Sequence, residues 1–157
     1  MTTRKPTSTN KINSAHYVSN KVHYARNGIY EIVLAEFPLS RCENTDASLE
    51  RLARAMQREV FIVEYYSGLY FNANKARQCA KVLKAWYEPK TRTIKGMVQI
   101  EGPYGRHLDQ LIRYTGEFSI ALKGRYLPIS STKLNRNTVI YTEITGFRLL
   151  FPNTRSW

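Results

Sequence analysis

"YGRHLDQLIRYTGEFSIALKG", residues 104–124, changes character at a single glycine. Before it, Leu108, Leu111 and Ile112 recur at helical spacing, and Gly116 is the residue type that ends a helix in a left-handed turn. After it, "EFSIALKG" reads as a buried strand that carries Ser119, with Lys123 and Arg125 beyond. A short helix feeding a strand through one glycine, in a chain whose other apolar runs are short and β-branched, points to an α+β fold.

The flanking sequence extends this pattern. Upstream, "ARQCAKVLKAWYEPKTRTIKGMVQIEG" reads as two strands joined through the turn "EPKTR", although Ala, Lys, Leu and Arg in its first half also favour helix. "EVFIVEYYSG", 59–68, is a β-branched and aromatic run closed by Gly68. "NTDASLERLARAMQ" offers Thr45 or Asp46 as a cap, then Leu49, Leu52, Ala53 and Met56 at helical spacing, which predicts a helix over 46–57. "GIYEIVLAEF", 28–37, is a strand that Pro38 ends. Downstream, a polar loop is expected at about 129–137 and a last strand at 137–151, stopped by Pro152. The expected architecture is a mainly antiparallel curled sheet or β-barrel with two short helices packed on it. The first 27 residues, rich in Thr, Ser, Asn and Lys, read as an extended basic arm, which leaves 28–157 as one domain.

Charge narrows the partners. The chain of 157 residues carries 24 Lys plus Arg against 12 Asp plus Glu, a net +12. Such an excess favours nucleic acid or an acidic protein surface. The first 30 residues hold no acid but include Arg4, Lys5, Lys11, Lys21 and Arg26. Between Tyr65 and Ile100 only Glu88 stands against Lys75, Arg77, Lys81, Lys84, Lys90, Arg92 and Lys95. Tyr65, Tyr66, Tyr70, Trp86 and Tyr87 are interleaved with these cations, a pattern able to stack bases while charges follow a phosphate backbone. Solvated surface charge and core tyrosines explain the same residues without any ligand. No apolar run reaches the roughly 18 residues of a membrane span, and "MTTRKPTSTNK" has no secretory character. The protein is therefore expected inside a cell, without membrane attachment. Cys42 and Cys79 have neither disulfide-framework nor metal-ligand spacing, and no motif for a metal or cofactor is present.

A nucleophilic Ser119 would need a base within hydrogen-bond reach. The three histidines are His16 and His23 in the arm and His107 on the short helix, and His107 is the one candidate base.

The order of elements resembles the prohead maturation proteases of tailed phages, whose fold is shared with herpesvirus assembly proteases. "GIYEIVLAEFPLSRCENTDASLERLARAM" is similar to the family's opening strand, loop and helix, and "KAWYEPKTRTIKGMVQIEGPYGRHLDQLIRYTG" to its hairpin and following helix. "VEYYSG" stands where members carry a Gly-Glu-Leu-x-His-Pro type sequence with the catalytic histidine, "EFSIALKGRYL" where they carry the nucleophile, and "ITGFRLLFPNTRSW" as the closing strand. The resemblance covers residues 28–157. Glu64 matches the acid of the histidine motif, but the histidine position falls at about Ser67, and no His occurs between 24 and 106. Phe147 and Arg148 occupy the closing strand where members can carry an acid. The resemblance therefore implies a non-catalytic relative in which Ser119 is a remnant, working as a structural or assembly component in a virion or infected bacterial host. Capsid or scaffold proteins would be its partners. A single-stranded RNA- or DNA-binding protein is the alternative, with Lys123 and Arg125 added to the basic set above; a serine protease using His107 as base is a third.

Overall fold

The Thr45 hydroxyl accepts the Ser48 N–H (3.1 Å), and the helix α1 (Asp46–Met56) starts there. Leu49, Ala53 and Met56 form its buried stripe, while Glu50 and Arg54 pair across one turn of its exposed side (2.9 Å). The second helix, α2 (Gly105–Thr115), buries Leu108, Leu111 and Ile112 and ends at Gly116, whose φ of 68° lets its N–H reach the Ile112 carbonyl (2.9 Å). That conformation is costly for any residue with a Cβ. Both helices expected from residue spacing are therefore present, α1 at 46–56 and α2 at 105–115, and both pack against the strand β4 described below.

The computed structural model describes residues 12–56, 61–66, 77–131 and 136–150, apart from the side chains of 12–16, 61, 62, 64–66, 131 and 136. Within these lie seven strands: β1 (Ile12–Lys21), β2 (Ile29–Glu36), β3 (Phe61–Tyr66), β4 (Gln78–Glu88), β5 (Thr93–Ile100), β6 (Glu117–Ser131) and β7 (Arg136–Leu150). They form one sheet in the order β1-β6-β7-β3-β4-β5-β2, with every neighbouring pair antiparallel except β3 and β7. The fold is α+β, mostly strand, and the sheet is not closed. No described helix is long and apolar enough to cross a membrane.

The sheet curls through bulges. Leu34 is the extra residue on β2 and Leu83 the extra residue on β4, and both bulges fall beside Gly96 of the intervening β5. A Cβ on Gly96 would lie 2.6 Å from a Leu34 methyl and 2.6 Å from the Lys84 carbonyl, so the two neighbours crowd that position. On β7, Thr145 and Thr142 are the extra residues opposite β6, and their hydroxyls donate to the Lys123 and Arg125 carbonyls. Curling brings the two edge strands together without a backbone ladder. Asn20 of β1 bridges them: its amide donates to the Val33 carbonyl and its carbonyl accepts the Val33 N–H, each at 2.9 Å. Asn20 is buried, so this side chain does the work of one antiparallel rung.

Two expectations change. Residues 12–21 of the expected arm form β1, because Val18 and Asn20 point into the core while Tyr17 and Ser19 point out. The period of two is there, but one of the two inward residues is an asparagine, so the apolar alternation that marks a strand is missing. Residues 1–11 lie outside the described residues. The polar loop expected at 129–137 is instead largely strand, since β6 runs to Ser131 and β7 begins at Arg136. This part of the hairpin extends past the end of β1, whose last partner along β6 is Lys123, so Pro128 occupies an edge position where its missing N–H is harmless.

Replacing Asn20 by Ala leaves the Val33 N–H and carbonyl without partners, and is expected to lower stability by about 2–3 kcal/mol. Urea unfolding should show this as a lower midpoint, whereas Gln110→Ala on the exposed side of α2 should leave the midpoint where it was.

Candidate functional site

Phe118, Ile120 and Leu122 of β6 are buried in the core, and Ser119 between them lies on the opposite, partly exposed side of the sheet. The register places Ser19, Ser119, Leu150 and Tyr66 in one row across β1, β6, β7 and β3. Position 67, where the resemblance would put a histidine, follows directly on Tyr66 at the end of that row; Ser67 itself lies outside the described residues. The Ser119 Oγ is 2.7 Å from the Ser19 Oγ. A second hydroxyl can share a proton but cannot take one at neutral pH, so this contact orients Ser119 without activating it. His16 belongs to β1 by its backbone, its side chain lying outside the described atoms. His23 is exposed after β1, and His107 is exposed on α2 with its ring stacked on Tyr104 at 5.0 Å between centroids. Among the described residues no group of three His, Cys, Asp or Glu could hold a metal ion.

No family model matches this chain, and no curated protein matches it. Among solved structures, the capsid assembly protease of bacteriophage T4, gp21, superposes with a TM-score of 0.61 at 13% sequence identity, over 87% of this chain and 97% of that one. The fold is similar to that of a phage capsid assembly protease. At this identity the likeness is one of fold.

The basic residues take several different places. Arg92, at a φ of 51°, turns its guanidinium inward: Nε donates to the Phe37 carbonyl (2.8 Å), one terminal nitrogen donates to the carbonyls of Cys42 (3.3 Å) and Asn44 (2.9 Å), and the other stands 3.5 Å from Asp46. It fastens the loop 37–45 to the β4–β5 turn. Lys81 pairs with Glu101 (3.2 Å), Lys95 with Glu88 (3.2 Å) and Arg125 with Glu143 (3.4 Å). Lys84 lies over the Trp86 ring at 5.9 Å, Lys90 is exposed on the β4–β5 turn, and Arg77 precedes β4. Lys123 is half-buried on β6, beside the bulge that separates it from Arg125. Lys21 and Arg26 are exposed near the end of β1; Arg4, Lys5, Lys11, Lys75 and Tyr70 lie outside the described residues, as do the side chains of Glu64, Tyr65 and Tyr66.

The sheet brings together Lys84, Trp86 and Lys95, and it adds acids that the linear order keeps far away. Lys84, Met97 and Glu31 form one row across β4, β5 and β2; Trp86, Lys95 and Val33 form the next. Glu88, Thr93 and Glu36 form the third. All are on the side of the sheet away from the buried row of Ala85, Gly96 and Ile32. Lys81, Gln99 and Ile29 form a fourth row on the same side, so three lysines share a face with Glu31, Glu36 and Glu88, and the described part of the basic stripe is interleaved with acids in space.

Sequence reading missed the buried polar residues that organise this end of the fold. Asn44 accepts from the Tyr141 N–H (2.8 Å) and the Cys42 thiol (3.0 Å), and donates to the Tyr141 carbonyl (2.9 Å) and the Ser48 hydroxyl (2.7 Å). Burial pushes the Cys42 thiol up, so it stays protonated. Tyr87 donates to the Asp46 carboxylate at 2.5 Å, and its pKa is pushed up to about 12, first by burial and then by that hydrogen bond. An asparagine between Glu43 and Thr45 carries no local signal of such a role, because the backbone groups it pairs with, both on Tyr141, are 97 residues away.

Because the folded pKa of Tyr87 lies above the ordinary value near 10, the phenol's contribution to stability is complete below pH 10 and is lost as pH rises through about 12. The stability difference between wild type and Tyr87→Phe should accordingly stay constant up to pH 10 and shrink between pH 10 and about 12, as followed by urea unfolding at each pH.

Proposed function

We propose that this chain is a phage assembly protein that uses a capsid-protease fold for binding rather than for cleavage. The observation that carries the reading is the fold likeness to the T4 capsid assembly protease, which extends over 97% of that chain. Loss of cleavage is supported by the surroundings of Ser119. Its hydroxyl meets the hydroxyl of Ser19, and the segment in which the resemblance expects a histidine has none from residue 24 to 106. A serine nucleophile without its base loses several orders of magnitude in rate, so a shared fold does not carry shared activity.

The partners in this reading are capsid or scaffold proteins with acidic surfaces, drawn to a chain of net charge +12. Its place is the prohead, the virion or the cytoplasm of the infected host. Nucleic acid fits less well, because Glu31, Glu36 and Glu88 stand among the lysines of the face that would have to follow phosphates. The exposed Lys21 and Arg26 are better placed cations for an acidic protein than the half-buried Lys123 or than Arg125, which pairs with Glu143.

Proheads purified from the phage that encodes this chain should contain it in fixed proportion to the capsid protein by mass spectrometry; its absence from particles would end the assembly reading. Incubating the protein with the scaffold and capsid proteins should leave the same intact bands for wild type and Ser119→Ala. Cleavage by wild type alone would show that Ser119 is a working nucleophile.

A further inference from the structure

The outward face of β2, β5 and β4 carries an apolar centre, an open groove and charges of both signs. Trp86, Met97 and Val33 are half-exposed there, in adjacent rows of the sheet. Beside them opens a cavity of about 400 Å³ lined by Val33, Glu36, Pro38, Thr91, Thr93 and Lys95. Trp86 and Val33 are both paired to Lys95 from opposite sides, so a large aromatic ring and the groove lie two strand spacings apart, roughly 10 Å. An aromatic anchor with apolar neighbours and a charged rim has the composition of the centre of a protein interface.

The charge pattern says what covers it. On a chain with 24 basic and 12 acidic residues, most surfaces of two copies repel. This face holds Lys81, Lys84 and Lys95 with Glu31, Glu36 and Glu88, so the two signs balance and here two copies do not repel. Knob, hole and both signs of charge occur on the same patch, which is what a two-fold interface requires, since each feature must meet its complement on an identical surface. We propose that this face joins two copies of the chain, sheet against sheet, with Trp86 of each copy entering the groove beside Val33 and Pro38 of the other. The lysines of one copy then face Glu31 and Glu36 of its partner. Sheets packed in this way lie about 10 Å apart with strands nearly aligned, a spacing that a Trp side chain fills. The proposal does not depend on the assembly reading, since it rests on this face alone.

Sedimentation equilibrium on the full chain across the micromolar range is expected to give twice the 18.2 kDa chain mass at the higher concentrations. Association should tighten with added salt, because screening reduces the repulsion of two +12 chains, the opposite of the salt response of nucleic-acid binding. Trp86→Glu should weaken it about 30-fold or more. Lys95→Glu should weaken it as well, and Lys95→Glu combined with Glu31→Lys should restore it, while Lys90→Glu on the exposed turn should leave it unchanged. Far-UV circular dichroism identical to wild type establishes that each variant is folded, and the charge-swap pair keeps the test decisive if Trp86→Glu is not. A wild-type chain that is monomeric throughout, or a folded Trp86→Glu that dimerises as wild type does, overturns the proposal. So does a monomer whose Trp86 fluorescence, read in a Trp157→Phe background, becomes shielded from iodide only when capsid protein or single-stranded DNA is added; the face then belongs to that partner.

Discussion

Seven strands curl far enough for the two edges of the sheet to meet, and the contact that joins them is a side chain. Asn20 offers Val33 one donor and one acceptor, the same pair of groups that a facing backbone would present. Much else follows from this position. Holding β1 against β2 keeps β1 on the flank of β6, and that flank is where Ser19 meets Ser119. The surroundings of the would-be nucleophile are thus set by an edge strand whose own inward face contains one apolar residue and one amide, Val18 and Asn20, among its described side chains.

The same device recurs elsewhere. Asn44 pairs with both backbone groups of Tyr141, and Arg92 gathers the carbonyls of Phe37, Cys42 and Asn44. These side chains substitute for secondary structure where the chain passes from β2 to α1. Burying such polar groups is tolerable only because their hydrogen bonds are made, so the loop is specified by geometry rather than by apolar area. Around them the ordinary core supplies the bulk: Phe37 and Tyr126 meet the ring of Tyr141 edge-on, both at 5.8 Å between centroids.

Elements with a strong local period were legible from the chain alone. Leu49, Ala53 and Met56 on α1, and Leu108, Leu111 and Ile112 on α2, announce helices because each stripe is complete within eleven residues. The β4–β5 hairpin was legible from its turn. Elements that need a distant partner were not: β1 depends on Val33 for its buried amide, and the tips of β6 and β7, Ser130 and Ser131 on one and Arg136, Asn137 and Thr138 on the other, are polar at every position. For the candidate site, Ser119 and the lack of a histidine in the expected segment could be read directly, whereas its pairing with Ser19 could not, since the two lie 100 residues apart.

What the sequence by itself determined is the class of fold, the two helices, the large positive charge and the residue types around Ser119. These are properties of neighbours along the chain, where period, glycine position and composition act. Tertiary structure alone decided which residues share a surface. Lys84 and Lys95 read as part of a basic stripe until β2 pairs with β5 and sets Glu31 and Glu36 beside them, and Arg92 reads as a surface cation until the turn folds it against three carbonyls. The physical reason is the same in both cases: electrostatic and hydrogen-bonding partners act over a few ångströms of space, and register, not sequence distance, determines which groups come that close.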